Sequence, residues 1–119
     1  EIYTACYTLS LHDALPILLF DPQHPMSYGL GRETNVVFLR SPAFKVAAGA
    51  RSVATYPLQN PLVAGWILGA EYLQGKSALV EVPLGKGTVL LIGFRSQFRA
   101  QARGTYRVLF NAIMQSVLC

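Results

Sequence analysis

The chain has 119 residues, 52% of them hydrophobic and 13% charged, with ten Lys and Arg against six Asp and Glu and a formal net charge of +4. That length allows one domain, the composition is too apolar for a disordered segment, and no stretch reaches the roughly 18 uninterrupted apolar residues of a membrane helix. A small α/β core, or a domain ordinarily covered by a neighbour, has this profile, and the modest positive charge favours weak attraction to anions without specifying a partner.

Residues 1–17, EIYTACYTLSLHDALPI, have an apolar middle but neither a basic start nor a small-residue cleavage site, so they do not read as a secretory signal. Glu1 to Thr4 and Tyr7 to Ile17 instead resemble a translation of the constant arms of a common short-read sequencing adapter, with Ala5 and Cys6 where the variable index falls. The expectation is that 1–17 is an adapter-derived artefact and that 18–119 is the C-terminal part of a longer protein's domain. Without that segment ten basic residues face four acidic ones, and Cys119 is the only cysteine, which permits no disulfide framework or thiolate metal cluster.

From Leu18 to Gly31 the text is turn-rich, with Asp21-Pro22, His24-Pro25 and Gly29-Leu30-Gly31, and reads as a loop after the tail of an upstream strand or helix. Asn35 to Leu39, Ala43 to Ala47 and Val53 to Tyr56 read as short strands stopped by Ser41-Pro42 and Pro57. Leu62 to Leu73 fits either a buried strand ending near Gly69 with a helical turn after it, or one helix interrupted by Gly65 and Gly69. Ala78 to Val82 and Thr88 to Ile92 flank Pro83-Leu84-Gly85-Lys86-Gly87 and predict a β-hairpin; the second strand lacks polar alternation and is expected to be buried on both faces. Thr105 is a candidate N-cap for a last helix whose Tyr106, Leu109, Phe110, Ile113 and Val117 form a stripe expected to pack on the sheet. Together these elements predict an incomplete, layered α/β domain closed by the hairpin and an amphipathic helix.

Chemistry-bearing motifs are sparse. Ala70 to Ser77 matches a relaxed phosphate-loop pattern, but its interior is bulky and Ser77 leads into a strand rather than the helix such a loop requires. With His12 in the adapter-like segment, His24 stands without the clustered ligands of a zinc site, and a solvated or simply hydrogen-bonded ring is expected there. The serines have no His in a triad-like arrangement, and Cys119 lies beyond the last helix, so no nucleophilic site is expected. The most individual stretch is Gly93 to Thr105. Arg95, Arg99, Arg103 and Arg107 recur every four residues with Phe94, Phe98 and Tyr106 between them. Such a loop either contacts an anion or pins itself to carbonyls or to a neighbouring domain, and Gly104 interrupts any single helix, so the four arginines need not share a face. Arg95, Gln97, Arg99, Gln101 and Arg103 are therefore the candidate ligand or interdomain contacts.

The segment SALVEVPLGKGTVLLIGFRSQFRAQARGTYRVLFNAIM, with VVFLRSPAFKV and PLVAGWILGAEYLQGKSA before it, resembles the end of large bacterial zinc carboxypeptidase-like proteins of the carboxypeptidase A type (peptidase family M14). In them a peptidase domain precedes a domain resembling class I glutamine amidotransferases. The resemblance implies an accessory domain without catalytic, cofactor-binding or metal-binding residues of its own. The zinc and its His and Glu ligands would lie upstream, the partner would be that peptidase domain rather than nucleic acid or a membrane span, and the parent would be periplasmic or secreted. Ser96 and Arg103 depart from the Pro and His that the family often carries there. The alternative is a carbohydrate- or anion-binding module of a glycoside-processing protein, with Arg95, Gln97, Arg99 and Gln101 on the ligand.

Overall fold

Antiparallel pairing governs the chain. A computed structural model describes residues 3–7, 14–67, 69–100 and 102–118, the first segment by its backbone alone. The strands are β1 (Tyr3–Tyr7), β2 (Ala14–Phe20), β3 (Glu33–Asn35), β4 (Pro42–Val46), β5 (Arg51–Thr55), β6 (Leu62–Gly65), β7 (Ser77–Leu84) and β8 (Gly87–Ile92), and the helix α1 (Tyr106–Leu118) follows them. They hydrogen-bond in the order β1-β4-β7-β5-β2-β3, with β6 also on β2 and β8 also on β7.

This corrects the expected layered α/β, amidotransferase-like sheet. Parallel strands need crossovers of about a dozen residues or more, usually helical. Between β2 and β8 the described residues carry only two one-turn 3-10 helices, Pro25–Ser27 and Ala70–Tyr72. Short apolar runs separated by Pro and Gly turns therefore fold back on one another. Strands near 43–47 and 53–56 are present as β4 and β5. Of the two readings of 62–73, the strand followed by a helical turn is the one observed, but β6 is short and exposed.

β2 alternates buried Ala14, Pro16, Leu18 and Phe20 with less buried neighbours, so its period-2 pattern puts one face in the core. It runs across the boundary drawn after Ile17. On one edge it meets β6 and then β5, and on the other Phe38 and then β3.

The sheet then curls back on itself. Val36 and Phe38 donate to the carbonyls of Pro16 and Ala14 on one side, while Val37 accepts from Arg95 N–H on the other at 3.0 Å. Arg95 continues the line of β8, whose Ile92 pairs with Leu79 and whose following Gly93 donates to Ala78 O at 2.7 Å. Hydrogen bonding thus passes from β7 through β5, β2, 36–38 and 93–95 back to β7, as in a small barrel. Leu18, Phe20, Met26, Val36, Phe38, Val53, Tyr56, Leu79, Phe94 and Val108 pack within one core.

The hairpin forms as the sequence suggests, with Leu84 paired to Gly87 across Gly85-Lys86 and Gly85 at φ +60°, the first-position requirement of a type II′ turn. Its second strand is not buried on both faces. Thr88 and Val89 are exposed and Leu90 to Ile92 half-buried, because β8 pairs along its length with β7 alone. The helix is corrected in the same sense. Val108 is fully buried and Ala112 packs beside the core, whereas Leu109, Phe110, Ile113 and Val117 are exposed. Thr105 does not cap by accepting a backbone N–H; its hydroxyl donates to Ser96 O and Ala102 O at 2.9 and 2.7 Å.

Two stability outcomes are expected. A Cβ on Gly93 would collide with Pro42 O and lie 3.1 Å from Ala78 O, both rigid backbone. Gly93→Ala should therefore cost about 2–3 kcal/mol in denaturant unfolding. Tyr56 is buried with no partner for its hydroxyl among the described residues. Burial pushes its pKa far up from 10.0, so above about pH 10 only the unfolded chain releases that proton, and stability falls as pH rises. Tyr56→Phe should stabilise by about 1 kcal/mol at neutral pH and flatten that alkaline loss, read from unfolding midpoints between neutral pH and pH about 11.

Candidate functional site

Beyond Gly93 the chain is held at few points. Arg95 is anchored by its backbone to Val37, and the Thr105 hydroxyl ties the far end of the loop to Ser96. Between them Arg99, Ala100 and Ala102 have φ of 47°, 56° and 47°, left-handed conformations that residues with a Cβ rarely adopt. The Arg99 guanidinium lies 5.2 Å from the centroid of the Phe98 ring, a cation–π contact. Arg103 opens the 3-10 turn Arg103–Thr105, and Arg107 lies in the first turn of α1 against Gly29.

Arg95, Gln97, Arg99 and Arg103 are all exposed. Arg95 belongs to the sheet, Arg99 is stacked on its own loop and Arg103 belongs to the helix approach. Gln101 lies outside the described residues. Arg95 also has a companion outside the predicted set. It shares with Arg40 a cleft of about 240 Å³ that Pro42, Ile92 and Phe94 also line. Sequence reasoning passed over Arg40, whose one signal was its place just before the Ser41-Pro42 turn.

His24 is buried and fully committed. Its Nδ1 accepts from Met26 N–H at 3.1 Å, so the proton sits on Nε2, which donates to Glu81 Oε2 at 2.6 Å. Gln115 donates to Glu81 Oε1 at 3.2 Å, and Asn111 donates to the carbonyls of Met26 and Tyr28 at 2.8 and 2.9 Å. This network clamps α1 to the 25–28 turn and to β7. Neither ring nitrogen remains to activate a nucleophile or bind a metal. Among the described residues no three His, Cys, Asp or Glu side chains converge on a possible metal position; His12 and Cys119 lie outside them.

The relaxed phosphate loop is a turn between the 3-10 helix at 70–72 and β7. Gly75 and Lys76 N–H donate to Tyr56 O and Leu73 O, and Ser77 is buried against the Ser52 hydroxyl at 2.7 Å. Those amides cannot cradle a phosphate while they hold the turn.

A run of exposed large apolar side chains lies on α1. Leu109 is 42% exposed, Phe110 60%, Ile113 53%, Met114 59%, Val117 77% and Leu118 80%. Beside it Tyr28, itself 77% exposed, joins Pro25, Met114 and Leu118 around a groove of about 590 Å³. Arg107 is the one charged residue of the helix. No helix among the described residues is long and apolar enough to cross a membrane. Compared with family models, curated proteins and solved structures, the chain matches none.

His24→Ala should cost about 2–3 kcal/mol, because it leaves the part-buried Glu81 carboxylate without its ring partner, whereas Lys76→Ala should change stability by less than about 0.5 kcal/mol. Chemical denaturation of the two variants side by side checks both.

Proposed function

We propose that this chain is a non-catalytic docking domain that supports a neighbouring domain through the outward face of α1. One observation carries the reading: the helix turns its hydrogen-bonding side chains, Asn111 and Gln115, inward and its large apolar ones outward. A solvent-facing helix has the reverse arrangement, and a contiguous apolar patch of this kind marks an interaction surface. The high apolar content of the chain fits the same view.

The proposed occupant is the upstream domain of the parent chain, which the resemblance of the C-terminal half implies is a zinc carboxypeptidase-like peptidase domain. Arg103 and Arg107 sit at the N-terminal end of α1, and Arg107 borders the groove. The complementary surface is apolar with an acidic rim facing that end. In this reading zinc and the hydrolytic residues belong to the neighbour, and the present domain positions it or helps present substrate.

The source locus, read upstream of the Leu18 codon from unamplified DNA, supplies the neighbour for the test. Expressed as separate polypeptides, the two domains should associate. Phe110→Asp and Met114→Asp should each weaken association at least about tenfold while leaving the domain's own stability within about 0.5 kcal/mol. Loss of stability in both variants would show the face to be core, and self-association of the isolated domain through this face, with no binding to the neighbour, would overturn the assignment of the occupant.

A further inference from the structure

Arg40 and Arg95 face one cleft from two backbone segments that the fold holds independently. Arg40 sits in a turn with φ of 46°, a left-handed conformation for a residue with a long side chain. Ser41 holds that turn: its hydroxyl donates to Leu39 O at 3.2 Å and accepts from Leu39 N–H at 3.3 Å. Arg95 is fixed across the cleft by its N–H on Val37 O. Buried Phe94 and half-buried Ile92 and Pro42 contribute the apolar part of the lining. Neither arginine has an acidic partner among the described residues, where the ion pairs are His24–Glu81 and Arg51–Asp21. Two arginines therefore line one small space without an acidic partner among the described residues.

We propose that this cleft binds a small organic carboxylate, with the carboxylate between Arg40 and Arg95 and a short hydrocarbon part on Phe94, Ile92 and Pro42. Planar guanidinium forks match carboxylate oxygens in bidentate geometry, and the apolar wall separates this ligand class from inorganic oxyanions. The cleft, of about 240 Å³, has room for a small ligand. The inference is independent of docking through α1, which uses a different set of residues.

Backbone amide shifts of 93–96 and 39–41 can be followed by NMR while butyrate, acetate or inorganic phosphate is added at matched ionic strength. Saturable shifts are expected, with butyrate tighter than acetate and phosphate. Arg40→Gly, which suits the left-handed backbone and preserves the fold, and Arg95→Gln should each weaken butyrate binding about tenfold, and Arg99→Gln should leave it unchanged. Shifts that do not saturate, that chloride reproduces, or that survive both variants would overturn the site. Tighter binding of phosphate than of butyrate would overturn the carboxylate class.

Discussion

Everything on the C-terminal side of the molecule depends on how closely Gly93 passes between β4 and β7. β8 is paired to β7 up to Ile92, and beyond that point Phe44 of β4 takes over the same edge of β7 at Ser77. The chain leaving β8 must slip past this exchange, with Pro42 O and Ala78 O on either side. Only a residue without a Cβ passes without moving backbone. Having passed, it reaches Val37, closes the ring of hydrogen bonds and buries Phe94. The direction of the Arg95 loop, and so of α1, follows from that crossing.

The helix is then held by polar means. Large apolar side chains on α1 would ordinarily drive it onto the sheet at about 1.5–3 kcal/mol for each one buried. Here the inward face offers Val108 and Ala112, and orientation comes from Asn111 on two carbonyls and Gln115 on the His24–Glu81 pair. A buried imidazole and a part-buried carboxylate are costly unless paired and hydrogen-bonded, so the network accepts one geometry rather than many. That geometry leaves Leu109, Phe110, Ile113 and Met114 in solvent.

These features differ in how far the sequence revealed them. The hairpin at 77–92 was legible because two β-branched runs flank a glycine turn, and β4 and β5 because Pro and Gly punctuate them. The helix was legible in position but not in facing: spacing identifies an apolar stripe and assigns it inward, and nothing local says that Asn111 and Gln115 will find carbonyls and a carboxylate far along the chain. The sheet was misread because short buried runs suit parallel and antiparallel neighbours equally, and the closure through Val37 and Arg95 is a contact 58 positions apart with no local signature. The arginine repeat was visible, and Gly104 already argued against a single helical face for it, but nothing local announced the left-handed backbone at Arg99, Ala100 and Ala102. Arg40 gains its interest only once closure brings it to Arg95.

The left-handed residues show how closure is maintained. Among the described residues, the non-glycine positions with positive φ are Arg40, Arg99, Ala100 and Ala102. Arg40 precedes the β4 start at Pro42 that crowds Gly93, and the other three lie in the return from Arg95 to α1. Each costs about 1–2 kcal/mol relative to an ordinary backbone. All four flank the place where the sheet joins itself, so the strain is localised there. Burial of Phe38, Phe94 and Val108 behind the closed sheet, together with the Asn111 and Gln115 clamps, offsets that cost. Relaxing Arg40 alone would lower the strain without opening the sheet, because the hydrogen bonds that close it run through Val36, Val37 and Phe38. The turn at 39–41 can therefore carry a charged side chain at a strained position, and the conformation that aims Arg40 at the cleft is maintained by contacts made elsewhere.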